Sequence, residues 1–418
     1  MTRLTKILPK MKSNPITNND MEVKLPPFDV SYSDTQSLAL IKDWGYNYVN
    51  PEFFWNQGHK GKGVVVFVID TMDTTDHPDV EPYLIKEACI SYVQEPAGDQ
   101  NGHGTWCASR VALLAPEVKI VGVKVLGGGG SGSSSNVAKG YTYSADVQLP
   151  APYNTWRRVT SASLGSSQPM PEVEAAIKYA AGKGVLHIAA SGNSGYQDGK
   201  NTINYPARYD DYVLAVAAHD SNEGRGNFSS VGDENDITAP GVLLDGAWKN
   251  KGFSRISGTS MATPHVAAAT ALLLNKYPSI KTQAELESTV QKAAKDLLAP
   301  GWDIFTGSGS LIMTRFTDTP TPTPNPVATA TFVYDRLLYG AQKACKLSVT
   351  LAVTDRVGFN QAMDILYKDI LVKLSKYLII NDTAESFIVY LTKFKQDLLA
   401  TYDVKKLELN INDKIYSL

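Results

Sequence analysis

Short, continuous apolar runs that stop abruptly on polar residues constrain the fold of this chain most. "VVVFVI" (residues 64–69) runs into Asp70, and "KIVGVKVL" (119–126) into a glycine-serine tract. "VLHIAA" (185–190) leads into Ser191-Gly192-Asn193, and "YVLAVAA" (212–218) into His219-Asp220. Unbroken apolar runs suit strands covered on both faces, as in a parallel sheet. Helical patterns lie between them. In "PEVEAAIKYAAGKG" the residues Val173, Ala176, Ile177 and Ala180 share one face, and Gly182 and Gly184 end the helix. Strand-helix alternation implies an α/β fold, a doubly wound, mostly parallel sheet with helices on both faces. The crevice of such a sheet lies beyond the C-terminal ends of its strands, where Asp70 and Asn193 fall.

The organisation divides at "DTPTPTPNPVATAT", whose Pro-Thr alternation builds neither a helix nor a central strand. We expect a polar N-terminal arm over residues 1–40, the α/β domain over 41–316, a stiff Pro/Thr-rich linker over 317–331, and a small α+β C-terminal module over 332–418. In the module, "KLSVTLAV" and "KKLELNI" read as strands, and amphipathic patterns at about 360–378 and 384–402 as helices. It carries no chemical motif and its role stays open, binding of a protein partner being one reading. A net charge of −2 over 418 residues argues against nucleic-acid or membrane-surface binding. The three cysteines (Cys89, Cys107, Cys345) form neither a disulfide framework nor a zinc-type spacing, so no cofactor or metal is expected. The N-terminus lacks the apolar core of a signal peptide, and no run approaches the ~18 apolar residues of a membrane span. The expectation is a protein kept in the cytoplasm or packaged from there into a larger particle.

Chemistry concentrates in a few polar sites. "GTSMATPHVAAATALLL" places Ser260 at the first turn of an apolar helix, where backbone N–H groups favour developing negative charge. Ser260 there is either a nucleophile or merely a helix N-cap. His103 in "NGHGTWCASRVA" stands between two glycines at a helix start. His59, His77, His187, His219 and His265 have less distinctive settings, and His265 reads as a packed structural residue. A serine hydrolase needs a base, a carboxylate to orient it and donors for an oxyanion. Asp70, His103, Ser260 and Asn193 can fill those roles.

Together "VVVFVIDTMDTTDHPDV", "NGHGTWCASRVA", "AASGNSG" and "SGTSMATPHVAAA" resemble the four motifs of the subtilisin-like serine peptidases. The likeness runs over about residues 44–311, and "ITAPG" and "YPARYDDYVLAVAA" fit it too. It implies a serine endopeptidase working through an acyl-enzyme. Asp70 would orient His103, His103 would act as base and then acid, Ser260 would attack, and Asn193 with the Ser260 N–H would hold the oxyanion. It also implies two extended substrate edges, Gly130-Ser131-Gly132 and Ser163-Leu164-Gly165, with Asn204 near the floor of the first specificity pocket. Partners would then be protein or peptide substrates.

Departures from the family pattern set further expectations. Met72 stands where glycine is usual, and Ser109 and Arg110 replace small residues on the histidine helix. Many relatives hold calcium in a loop interrupting that helix. Here residues 106–116 lack Asn, Asp, Glu and Gln, so that site is expected to be missing, with Asp79 left as a solvated loop charge. The arm lacks the periodicity of a folded pro-domain, and whether it lies in the cleft stays open. The competing reading is an idle structural or assembly protein that uses a peptidase fold as a binding platform.

Overall fold

The computed structural model describes residues 20–25, 29–32, 42–298 and 301–316, together with strands at 327–334, 345–352, 403–411 and 414–417. The chain divides into two compact units, Met1–Asp318 and Thr319–Leu418. In the first, β1 (Glu22–Lys24) and β2 (Asp29–Tyr32) precede a seven-stranded sheet. That sheet comprises β3 (Val64–Asp70), β4 (Ile90–Ser91), β5 (Lys119–Lys124), β7 (Arg157–Ala162), β8 (Leu186–Ala190), β9 (Val213–His219) and β10 (Asn235–Pro240). Every pairing is parallel, in the order β10-β9-β8-β7-β3-β5-β4. β6 (Ser131–Ser133) pairs with β1 instead, and β11 (Leu244–Ala247), β12 (Phe253–Ser257) and β2 form a small antiparallel sheet. The helices are α1 (Trp44–Val49), α2 (Glu52–Trp55), α3 (His103–Leu114), α4 (Ser134–Asp146), α5 (Pro171–Gly182), α6 (Thr259–Lys276) and α7 (Gln283–Ala293).

The alternation of β3 explains the two layers. Val64, Val66 and Val68 belong to a core with residues of α3, α6 and α7, whereas Val65, Phe67 and Ile69 belong to a second core with residues of α4 and α5. Both faces of the strand are covered, which is why its sequence is apolar throughout. Each fully buried side chain of this size contributes about 1.5–3 kcal/mol. α6 is buried from Thr259 to Leu274 and lies against β3, β7, β8, β9 and β10. Its run of alanines lets its backbone approach the sheet closely. Among the described residues no helix is long and apolar enough to cross a membrane.

The departures on α3 have packing reasons. Ser109 Oγ donates to the Trp106 carbonyl at 2.7 Å and accepts from the Ala247 N–H at 3.1 Å, joining α3 to β11. The buried Arg110 guanidinium donates to both Asp43 oxygens (3.0 and 2.6 Å) and to the Asp245 carbonyl (2.6 Å). Asp43 also caps α1 by accepting from the Tyr46 N–H at 3.1 Å. Although burial opposes its ionisation, Arg110 holds the Asp43 carboxyl below its ordinary pKa.

α3 runs uninterrupted from His103 to Leu114. Asp79, expected as a solvated charge, is instead only 8% exposed. Its carboxylate lies 4.0 Å from His77 Nδ1, and burial raises its pKa. A position read as loop from sequence is covered by packing that the sequence does not announce.

The second unit contains β13 (Val327–Tyr334), β14 (Cys345–Ala352), β15 (Asp403–Ile411) and β16 (Lys414–Ser417), antiparallel in that order. β14 and β15 fall on the two expected strands. β13 corrects the linker reading, because it begins inside 317–331, directly after the last proline of the tract, Pro326. Its place at the edge of the sheet suits a segment following a proline run. The helices expected at about 360–378 and 384–402 lie outside the described residues.

Asp43→Ala should leave Arg110 buried without its counter-charge, costing about 3–5 kcal/mol and lowering Tm by on the order of 10 °C. Asp43→Ala combined with Arg110→Met should recover part of that loss. Calorimetry on the three proteins decides, and an unchanged Tm in Asp43→Ala would refute this account of α3.

Candidate active site

The chain leaves β3 toward β5 and β4 on one side, then returns to build β7 to β10 on the other. This reversal puts the C-terminal ends of β3 and β7 at the switch point of the sheet, where a crevice opens. Asp70 ends β3, and Ser163 follows β7. The first turn of α3 docks onto the Asp70 end through its glycines. Gly102 has φ 107°, a backbone that disfavours any side chain, and a Cβ there would lie 2.5 Å from the Trp248 ring. A Cβ on Gly104 would lie 2.8 Å from the Met72 backbone nitrogen.

So placed, His103 Nδ1 lies 2.8 and 3.0 Å from the two oxygens of Asp70, with both side chains fully buried. A carboxylate only accepts, so Nδ1 carries the proton and donates. Burial works against charging this ring, but the Asp70 carboxylate outweighs it and holds the pKa well above 6.5. The contrast with the other histidines is sharp. Burial drives His187 and His265 down to about 3 and His219 to about 4, and it lowers His59 and His77 as well. His265 Nδ1 bonds the Met261 carbonyl one turn back at 2.8 Å, which fits its structural reading.

Ser260 is fully buried in the first turn of α6. The N-cap of that helix is Gly258, so the serine is not spent on capping. Its Oγ donates to the Ser163 carbonyl at 3.2 Å, while Ser163 Oγ donates to the Ser260 carbonyl at 2.9 Å. Cys107 Sγ lies 3.9 Å from His103 Nδ1 and 3.7 Å from the Ser260 carbonyl, so one buried thiol touches both residues. Burial pushes that thiol above its ordinary pKa and keeps it neutral. Asn193 Oδ1 accepts from the Thr259 N–H at 2.9 Å and the Thr259 hydroxyl at 2.8 Å. A backbone N–H can only donate, so the amide is fixed with its NH2 end away from Thr259. A Cβ on Gly258 would stand 3.0 Å from that nitrogen, a tight contact that would press on the Asn193 amide.

The two segments expected as edges both pair with the N-terminal arm. Gly130, Ser131 and Gly132 form one with β6, and Ser163, Leu164 and Gly165 form the other. Asn204 stands beside the second, with its Cβ 2.9 Å from where a Gly165 Cβ would be and its Cγ 2.9 Å from where a Gly192 Cβ would be. The N-terminal arm, left open as to position by sequence, lies between these edges. β1 pairs antiparallel with β6, with Val23 opposite Gly132. Lys24 and Gly165 exchange both backbone bonds (3.1 and 3.0 Å), and the Leu25 N–H donates to the Gly130 carbonyl at 2.9 Å. Val23 is fully buried in the cluster that contains Leu126, Val137 and Leu164.

Sequence reasoning missed Asp99. One of its oxygens accepts from the Thr71 hydroxyl (2.9 Å) and the N–H groups of Asn101 (3.1 Å) and Gly102 (2.8 Å). The other accepts from Thr105 N–H and Oγ, both at 2.8 Å. Thr71 Oγ in turn accepts from the Gly104 N–H at 2.9 Å, so Asp99 ties the end of β3 to the start of α3. The signal available was an acidic residue just ahead of a helix start.

The subtilase family model matches residues 61–309. The chain is 39% identical over 257 residues to an alkaline protease of Alkalihalobacillus alcalophilus, covering 59% of this chain and 63% of that protein. It is 40% identical over 246 residues to subtilisin Savinase of Lederbergia lenta, covering 56% and 85% respectively. With subtilisin DY of Bacillus licheniformis the identity is 36% over 262 residues, covering 60% and 90%. The chain thus spans about 63% of the length of the alkaline protease it matches. The motifs that carried the resemblance fall within the matched stretch, and the chain belongs to the subtilase family.

Proposed function

We propose that the protein is a serine endopeptidase that hydrolyses peptide bonds through an acyl-enzyme. The observation that carries this reading is the buried Asp70–His103 pair, whose histidine shares the Cys107 thiol with the Ser260 carbonyl in the first turn of α6. In the forward step Ser260 Oγ attacks the substrate carbonyl carbon, and its proton passes to His103 Nε2. Asp70 holds the ring in the tautomer with Nδ1 protonated and offsets the charge that forms. The oxyanion lies against the Asn193 NH2 and the Ser260 N–H. His103 returns the proton to the leaving amine as the C–N bond breaks. Water, deprotonated by the same ring, then cleaves the ester. Substrate adds an antiparallel strand between the two edges, so affinity comes from main-chain bonds and selectivity from side-chain pockets. Asn204, with a polar amide beside Gly165, favours a hydrogen-bonding side chain over a large aromatic one in the first pocket.

Ser260→Ala should keep the native circular dichroism spectrum while lowering casein hydrolysis by about 10⁶. Asn193→Ala should cost about 10²–10³ in kcat. Near-normal turnover by Ser260→Ala would overturn the proposal.

His103 must be neutral to accept the Ser260 proton, and its pKa is held above 6.5. The rate of peptide hydrolysis should therefore climb as pH rises through a limb above 6.5. The stability contributed by the charged ring runs the opposite way: it is fully present below the unfolded value and lost as pH rises through the raised one. A pH profile of kcat/KM provides the check, and a limb centred below 6.5 would contradict it.

A further inference from the structure

We propose that Glu95 is a positioning residue for substrate. Its carboxylate, paired with the buried Lys124, fastens the glycine turn 127–130 and so sets the shape in which Gly130-Ser131-Gly132 takes a peptide strand. The proposal rests on the serine endopeptidase reading.

Four consecutive glycines, Gly127 to Gly130, follow Val125 and Leu126 at the exit of β5. Glycine loses more conformational freedom on folding than any other residue, so such a turn keeps one shape only when it is tied. Within the turn, the Gly127 N–H donates to the Ser131 carbonyl at 2.9 Å and the Gly130 N–H to the Gly127 carbonyl at 2.8 Å. The middle is tied from outside. The Gly128 N–H donates to the Glu95 carboxylate, 2.9 Å from each oxygen, and the Gly128 carbonyl accepts from Asn101 Nδ2 at 3.0 Å. Both backbone groups of Gly128 are thus held by side chains. Lack of a side chain on the turn permits this approach: a Cβ on Gly127 would lie 2.6 Å from Glu95 Oε1, and one on Gly128 3.0 Å from Gln100 Cβ.

Glu95 is itself braced. Lys124, the last residue of β5, is fully buried, and its ammonium lies 3.0 Å from Glu95 Oε2. It also donates to the Gly98 carbonyl at 3.2 Å and to Gln100 Oε1. A buried ammonium needs such partners, and a charged acceptor makes the Gly128 bond stronger than a neutral one would. Burial opposes the Glu95 charge, yet the Gly128 N–H and Lys124 hold its carboxyl below the ordinary value. The segment that carries Glu95 is tied down behind it. Asp73 accepts from the Gly98 N–H at 2.6 Å, and Asp99 accepts from the Thr71 hydroxyl at 2.9 Å. In this shape the segment after the turn does take an extended strand: the Gly130 carbonyl accepts from the Leu25 N–H at 2.9 Å, and Val23 stands opposite Gly132. Glu95 acts on such a strand through Gly128, which makes it a positioning residue and not a catalytic one.

The test compares two substrates in full-length chains that all carry Val23→Asp. That carboxylate is unsuited to the apolar cluster where Val23 is buried, and it frees the segment from the arm. A chromogenic tetrapeptide anilide lies along Gly130-Ser131-Gly132, whereas p-nitrophenyl acetate reaches Ser260 without it. Glu95→Ala should lower kcat/KM for the tetrapeptide about 10-fold, chiefly through KM, and leave acetate hydrolysis unchanged. Glu95→Gln keeps an oxygen for the Gly128 N–H and should recover part of that loss. Equal kcat/KM for the tetrapeptide in Glu95→Ala and its parent, or the same loss on both substrates, overturns the proposal. If Glu95→Ala lacks the parent's circular dichroism spectrum, Glu95→Gln decides by the same criterion, with an expected loss of about 3-fold. No hydrolysis of either substrate by the parent or the unaltered chain overturns the serine endopeptidase reading itself, and the role of Glu95 with it.

Discussion

The buried contact between Asp70 and His103 sets the terms for the structure around it. Two fully buried titratable groups are tolerated only when each satisfies the other, because an unpaired charge in a core costs several kcal/mol. That requirement fixes where α3 begins, since its first residue must meet the last residue of β3. The glycines on either side of His103 let the helix come close enough, and Asp99 and Thr71 lock the approach. The other end of α3 is held by a second buried pair, Arg110 with Asp43. The histidine helix is thus anchored at both ends by charge and along its length by packing.

The N-terminal arm is held at the segments that follow β5 and β7. Its main chain bonds to Gly130 and Gly165 and pairs with Gly132. The side chains of Asp20 and Val23 supply the remaining hold.

Much of the sheet was legible because β3, β5, β8 and β9 are covered on both faces and so read as unbroken apolar runs. β10, β11 and β12 escaped notice because polar residues such as Asn235, Asp236, Asp245 and Arg255 interrupt them. In the structure Asp236 accepts from the Ala215 N–H at 2.8 Å and Asp245 pairs with Arg255 at 2.7 Å. The positions of Asp70, His103, Asn193 and Ser260 were legible from motif contexts. Asp99 was not, since its importance lies in a bond to Thr71 across 28 residues of sequence that no local pattern encodes. The arm misled for a related reason. Read alone, "MEVKLPPFDV" is polar and proline-broken, and the deep burial of Val23 acquires meaning only opposite Gly132.

The central claim is that Ser260 is the nucleophile activated by His103. Reaction of the native chain with a fluorophosphonate, followed by peptide mapping, tests it most directly. The account predicts one adduct per chain, on Ser260. Labelling of a different serine, or no adduct on Ser260, would contradict it.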